Sequence, residues 1–373
     1  MDPEYFFCPR RTCKAHRLTN PPGQRWFYRH GYHDTLAFGR VPRYRCRLCG
    51  KTFSDQTFLL NYWLKKRTDF AALGREINSS SSSNFIGRHN GFSADSMRIR
   101  HDRLARNALF FQSILTEGLT IDEPLVADGL ATFVCSQFFP VDLNTLIGAD
   151  SEFVYYFTES HSRRRGSMTA EQKARCEQLY ADKCFAVSRI STMFNKLIGY
   201  VTGKCERPSV DLRTDEHPIY LSVINRWNAE GGAPRIDHTR IPSTLPRTTA
   251  NPLFAVNYFD RLIRKDMPNH RRETICQARN DRNLLSRFAY YVVTHNFCKP
   301  YRISSGAKQV SEKHAATVVA DSEALEFWKS RLHQCRFFRS FVELPPYFED
   351  VWFRRTATPL KEEADPVPQF AYQ

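Results

Sequence analysis

No run of 18 consecutive apolar residues occurs in the 373 residues, so a membrane-spanning helix is not expected. The chain opens MDPEYFFCPRR, without the charged-then-apolar order of a secretory leader, and an intracellular, cytoplasmic location is expected. Regular cysteine spacing is largely missing. Seven of the eleven cysteines (Cys135, Cys176, Cys184, Cys205, Cys276, Cys298 and Cys335) are scattered, which speaks against the disulfide framework of a small secreted domain. They read as reduced, small apolar residues. Acidic charge is scarce at one end: residues 1–110 hold 20 Lys and Arg against 8 Asp and Glu, whereas the remainder holds 34 against 31.

A basic surface confined to one end is the footprint of a polyanion-binding module, the plainer alternative being a soluble basic domain. No basic amphipathic helix with a clean apolar face stands out, so a membrane surface is a poor fit. Apolar residues make up 42%, enough for a folded chain with at least one large core.

The four remaining cysteines form two close pairs, Cys8/Cys13 in CPRRTC and Cys46/Cys49 in CRLCGKTF. Two such pairs supply four thiolates for the tetrahedral coordination of structural Zn²⁺. Gly50 after the second pair suits a tight turn. Trp26, Phe27, Tyr28 and Phe38 lie between the pairs and are expected to pack a small sheet around the metal, a unit too small to fold without it. His16, His30 and His33 are alternative ligands, ranked below a cysteine set that already fills four positions. Four unrelated thiols are the bland alternative. Arg10, Arg11, Arg43, Arg45 and Arg47 nearby suggest phosphate contacts.

Asn84–Gly91 reads as a short helix ending at Asn90-Gly91, with Ser93 capping a second helix from Ala94 to about Leu109. The second helix carries Arg98, Arg100, Arg103 and Arg106, with Met97, Ile99 and Leu104 expected to face inward. A short helix, a glycine turn and an Arg-rich helix is the helix-turn-helix pattern, with Ser93 to Arg100 entering the major groove. The run Ser79–Ser83 is either a polar spacer or the weak start of the first helix.

Beyond residue 116 the pattern changes. Pro124–Phe133, Leu143–Gly148 and Phe153–Thr158 read as strands. A long helical stretch then runs from Thr169, boxed with Gln172, to about Tyr200, and Ser209–Arg213 is a fourth strand. This is an α/β sheet domain. Asp128 lies within the first strand and Asp215 at the end of the fourth. An acid in an apolar strand must be solvated, paired or metal-bound, and two acids brought together favour Mg²⁺ or Mn²⁺ between them. Asn251–Met267 reads as a helix capped by Asn251 with Pro252 in its first position. Val256, Phe259, Ile263 and Met267 form its apolar stripe. Asn257, Asp260, Arg261 and Arg264 form a polar stripe, which is either a solvated face or a face turned toward the carboxylates.

The order of these features resembles insertion-sequence transposases with an N-terminal zinc ribbon, a helix-turn-helix and a DDE-type RNase-H-like domain. It is carried, over roughly residues 8–302, by the cysteine pairs with CGKTFS, the VADG strand, TDEHPIY, NPLFAVNYFDRLIRK, NHRRET and HNFCKPYR. The resemblance implies a multidomain α/β chain: a zinc ribbon over 1–60, a helix-turn-helix over 61–115, an RNase-H-like catalytic domain over 116–305, and a C-terminal helical region with a loose tail over 306–373. A helix is expected around Ser322–Phe338 in that last part.

The resemblance further implies Asp128 and Asp215 as the first two metal-binding acids, with two Mg²⁺ ions serving phosphoryl transfer. The family's third acid is a Glu seven positions before a basic residue; here that position, counted from Arg264, is Asn257. Asp260 is the alternative ligand and Glu273 a further one. Arg264, Arg271 and Arg272 are expected to position phosphates, and Arg98, Arg100 and Arg103 to bind DNA. His295, Lys299 and Tyr301 read as packing and surface residues. The implied partners are double-stranded DNA (element ends and target) and further copies of the chain assembled on it, in a bacterial, nucleoid-associated setting. The alternatives are a DNA-binding regulator or inactive remnant that cuts nothing, and a site-specific nuclease on the same core.

Overall fold

The computed structural model describes residues 6–17, 25–79, 81–271, 274–299, 314, 318, 319, 321–356, 358–360 and 367. Two sheets organise the chain. The first is antiparallel, with strands β1 (Phe27–Thr35), β2 (Gly39–Cys46) and β3 (Thr52–Ser54) in that order. Its small core holds Phe6, Trp26, Phe27, Phe53 and Phe58, together with Phe338 from far along the chain. Strand alternation decides which of the expected aromatics join: Phe27 is buried, so Tyr28 points out, where Arg47 lies over its ring at 5.1 Å. Phe38 is half-buried and likewise outside this core.

Three helices follow: α1 (Phe70–Asn78), α2 (Ser83–His89) and α3 (Ala94–Leu115). Each begins where a side-chain oxygen satisfies free backbone amides. Asp69 accepts from Ala71 and Ala72, Ser82 from Phe85, and Ser93 from Ser96. The serine run therefore supplies the cap of α2. Gly91 turns the chain into α3 with φ +67°, a conformation that favours glycine.

The second sheet has five strands in the order β6-β5-β4-β7-β8. They are β4 (Leu125–Phe133), β5 (Pro140–Gly148), β6 (Val154–His161), β7 (Ser209–Asp215) and β8 (Arg235–Ile241). The first three form an antiparallel meander; β7 runs parallel to β4, and β8 parallel to β7. β8 is a strand that the sequence pattern did not announce, since its RIDHTRI alternates charge rather than bulk. Between β6 and β7 the expected single long helix is two, α4 (Ala170–Tyr180) and α5 (Ile190–Thr202). The Thr169/Gln172 box does cap α4.

Helix α6 (Pro218–Ala229) joins β7 to β8, and α7 (Phe254–Asp266) and α8 (Asp281–Val293) follow. In α7 the cap is Leu253; Asn251 lies two residues outside and accepts the Leu253 amide at 2.8 Å. The four residues of its expected apolar stripe, Val256, Phe259, Ile263 and Met267, are all buried.

One continuous core runs from Leu60 to Phe353. The expected boundaries at 115/116 and 305/306 therefore do not separate packing units. α3 packs along α8, and Gln112 near its end donates to the carbonyls of Val154 and Tyr155 in the sheet. After α9 (Ser322–Lys329), α10 (Pro346–Phe353) is buried where a loose tail was expected. Phe348 packs on the rings of Tyr156 and Phe157, and the Tyr347 amide donates to the Tyr156 hydroxyl. The chain then pins its two sheets together: Leu59 bridges Cys335, Leu60 donates to Gln334, Arg336 donates to Phe58, and the Phe338 ring lies 4.8 Å from that of Phe7.

Candidate metal centres and the basic surface

The β2–β3 turn and the N-terminal loop bring four thiols together. The sulfurs of Cys8 and Cys49 lie 3.4 Å apart, and those of Cys13 and Cys46 lie 3.8 Å apart. All four ligand atoms fall within 4.8 Å of one another, so the group can hold one zinc ion. Burial and the neighbouring sulfurs push the Cys8 thiol well above its ordinary value, and Cys13 is raised too. Four thiolates cannot share this space unless a cation compensates them. His16 is no ligand: its Nδ1 lies 2.6 Å from the Cys8 carbonyl, so the imidazole braces the loop. His30 and His33 sit on β1, outside the cluster.

The second centre forms in the five-stranded sheet. The β4/β7 pairing sets Leu125 against Leu212 and Val126 against Arg213. Asp128 and Asp215 each lie two residues beyond the last of these pairs, and Asp215 is among the charges that act on Asp128. Asp128 accepts its neighbour Gly129's amide at 2.7 Å, and Asp215 accepts the His217 amide at 2.9 Å. α7 packs against β4 and β5 and carries Asp260 into the same field.

Three aspartates are therefore crowded together, joined by Asp142 of β5. Burial and the nearby Asp215 and Asp142 push Asp128 up to about 6. Burial and Asp128 push Asp260 up to about 8. The buried Tyr220 hydroxyl is raised by burial and then by all four carboxylates, which places it amid them. Arg247 opposes the rise at Asp128 and Asp260, and Arg264 does so at Asp260.

Two oxygens here are closed to solvent and have no hydrogen-bond partner among the described residues: Asp260 Oδ1 and Asn144 Oδ1. Gly129 leaves room beside the second of these. A Cβ there would stand 3.3 Å from the Asp142 Cβ, 3.4 Å from Asn144 Oδ1 and 3.6 Å from the Tyr220 hydroxyl. Hard oxygen donors with raised proton affinity and orphaned lone pairs suit a divalent cation such as Mg²⁺. The three aspartates do not close to within 4.8 Å as a set, so their oxygens are spread more widely than the thiols.

Asn257 is half-buried on α7, one turn before Asp260, which is the residue raised by Asp128. Asp142, Asn144, Tyr220 and Arg247 escaped sequence reasoning. Asp142 and Asn144 enter through the antiparallel register, which sets Asn144 opposite Gly129.

A groove of about 870 Å³ runs beside the acids, lined by Asp142, His217 and the run Arg163, Arg164 and Arg165. Arg163 lies over the rings of Tyr180 and Phe185, and Arg164 over Phe138. The RRR triplet was visible in the sequence and is the missed signal.

The expected DNA-contacting arginines of α3 divide. Arg98 is exposed and pairs with Asp95 at 3.0 Å. Arg100 and Arg103 are buried, a correction to their expected role. Arg100 donates to Thr68, Ser96 and the Lys66 carbonyl, and Arg103 to the carbonyls of Leu60 and Tyr62. Helical periodicity is the reason: Arg100 sits three residues after Met97 and four before Leu104, on their buried face, and Ile99 is the residue turned to solvent. Arg264 Nε is buried and unpartnered among the described residues, while Arg271 is exposed and donates to the Arg264 carbonyl. Arg272, Glu273 and Tyr301 lie outside the described residues. His295 is buried with Nε2 on the Glu152 carbonyl, and Lys299 pairs with Asp266.

A third group with metal-ligand chemistry lies at the far end of β6. His161 Nε2 is 2.7 Å from Glu159 and 2.9 Å from Asp281, all three being buried. These are hydrogen-bond lengths. Burial works against charging the imidazole, but the two carboxylates outweigh it and raise His161 to about 10. The imidazolium itself supplies the positive charge that a metal would bring.

The chain matches no described protein family, and no curated protein is similar to it in sequence.

Proposed function

We propose that the chain is a DNA transposase: a zinc ribbon and helix-turn-helix that grip DNA, joined to an RNase-H-like core that cuts and joins strands. The observation that carries this reading is that β7 runs parallel beside β4 and that Asp215 and Asp260 both bear electrostatically on Asp128. An antiparallel meander followed by two parallel strands, with acids on the first and fourth strands, is the arrangement expected of an RNase-H-like sheet. On this reading the third acid is Asp260, with Asn144 Oδ1 as a further oxygen donor, rather than Asn257.

Divalent Mg²⁺ or Mn²⁺, when bound, would neutralise the carboxylates and lower the barrier to attack on a phosphodiester. The chain's residues do the remainder. Asp128, Asp215 and Asp260 offer the oxygens. The groove with Arg163, Arg164 and Arg165 holds the strand by its phosphates. Arg247 and Arg264 balance charge that develops beside the acids. In cleavage, a water oxygen bonds to phosphorus and the 3′ oxygen leaves with a proton; in joining, the freed 3′ hydroxyl takes the place of water.

A non-cutting DNA-binding protein is the second reading, favoured by the wide spread of the aspartate oxygens. Nicking of supercoiled plasmid by the purified full chain in Mn²⁺ separates the two. The expected result is nicking by the wild type and none by Asp128→Asn or Asp215→Asn, with DNA mobility shift retained in both. Undiminished nicking by either variant removes the assignment. A wild type that shifts DNA and never nicks it establishes the second reading.

A further inference from the structure

A cavity of about 250 Å³ opens between α3, α8 and the end of α10, and it shares no lining residue with the aspartate cluster. Among the described residues its wall carries four guanidinium groups, those of Arg106, Arg279, Arg282 and Arg354, against two carboxylates, Asp102 and Asp281. Asp281 already faces His161. Asp102 is 3% exposed and accepts from both Arg282 and Arg354. It serves these two arginines, and among the described residues Arg106 has no hydrogen-bonded carboxylate, only the Trp352 ring at 5.8 Å and the more distant pull of Asp102.

Arg106 is 9% exposed, and its Nη1 is closed to solvent with no partner among the described residues. A buried guanidinium nitrogen without an acceptor costs free energy that an interior rarely tolerates. Burial and the nearby Arg354 weaken the hold of Arg106 on its proton, as expected for a cation crowded by cations. Arg354 takes a left-handed backbone at the end of α10 (φ 59°), an unfavourable conformation for a residue with a Cβ, and from there reaches Asp102. Among the described residues the wall therefore carries an excess of two positive charges.

We infer that this cavity is a binding site for a phosphate monoester dianion, held by Arg106 and Arg282 within and by Arg279 at the mouth. A dianion matches the excess charge, and its three terminal oxygens match forked N–H donors. Either a free phosphate compound or the 5′-terminal phosphate of a DNA strand presents that group. An internal phosphodiester has one charge and two flanking sugars, and suits an enclosed cavity less well. The inference does not rest on the transposase reading.

The test uses the full-length protein and calorimetric titration with inorganic phosphate and with pyrophosphate at constant ionic strength. Saturable binding is expected. Arg279→Ala, an exposed position, is expected to weaken it by about tenfold, and Arg106→Gln to weaken it at least as much. Should Arg106→Gln fail to fold, Arg279→Ala alone decides. Binding that neither variant changes, or no saturable binding by the wild type, overturns the site. Competition then identifies the source. Displacement by a 5′-phosphorylated oligonucleotide, and not by its 5′-hydroxyl twin, assigns the site to a strand end. Displacement by neither assigns it to a free phosphate compound. Equal displacement by both means that ordinary backbone charge competes, and overturns the monoester site.

Discussion

His161 Nε2 lies 2.7 Å from the Glu159 carboxylate, with both side chains sealed in the core beside the first residue of α8. Asp281, that first residue, approaches the same nitrogen at 2.9 Å, so one imidazolium ties β6 to α8. Because the folded-state value of about 10 lies above the ordinary 6.5, the stabilisation is complete below pH 6.5 and disappears as pH rises through 10. Glu159→Gln removes one of the two supporting charges. The His161 titration followed by NMR should then fall by about 1–2 pH units. An unchanged midpoint would show that Asp281 alone sets it.

The aspartate cluster should respond to pH in the opposite way once a cation is present. Without metal, the folded values of about 6 for Asp128 and about 8 for Asp260 both exceed the ordinary 3.8. Stability from these groups is complete below that value and is lost as pH climbs through 6 and then 8. Asp260→Asn has no such proton to lose. Its stability relative to the wild type should grow by about 3–4 kcal/mol between pH 5 and pH 8 in chelator. Added Mg²⁺ should reverse the order at pH 8. Denaturant melts that show a constant difference across that range refute the placement of Asp260.

Zinc should be stoichiometric, about one ion per chain for a four-thiolate site. Cys49→Ser is expected to lose most of it by elemental analysis. The same change should expose β1–β3 to limited proteolysis, while the core from Leu60 to Phe353 stays resistant. Full zinc content in that variant would mean that the metal sits elsewhere.

Neighbouring arginines on α3 should behave as different kinds of residue. Arg100→Ala deletes donors to Thr68, Ser96 and Lys66 and should cost about 2–3 kcal/mol of stability. Arg98→Ala should leave stability within about 0.5 kcal/mol. It should lower the slope of DNA affinity against salt by about 1, as the loss of one phosphate contact would. A melting-temperature loss in the Arg98 variant as large as that in the Arg100 variant would contradict the buried and exposed assignments.

Much of the architecture was legible in the chain, and the failures have specific causes. Apolar runs located β4, β5 and β6, because strands buried in a sheet interior must be largely apolar, and in β7 only Val210 and Leu212 alternate with polar residues. β8 stayed hidden because its RIDHTRI exposes most of its side chains. Caps at Ser93 and Thr169 were readable because capping is local chemistry. The split between α4 and α5 was not, since Ala181–Arg189 carries no proline or glycine to mark it. Asp128 and Asp215 could be paired by position within their strands. Asp142 and Asn144 could not, because they join through the register of a hairpin partner. The arginines of α3 were misjudged because basic charge was taken as a sign of exposure. Stepping three and four residues from Met97 would have put Arg100 on the inner face.

The seam between Leu59 and Cys335 has a consequence for synthesis. Ribosomes complete the thiol-bearing head first, yet the backbone that seats it, Gln334 to Phe338, emerges some 270 residues later. A nascent chain therefore carries a head with its four thiols in place before it has any fixed orientation. Only when residues 334–338 have been made does that head acquire a set direction relative to the five-stranded sheet.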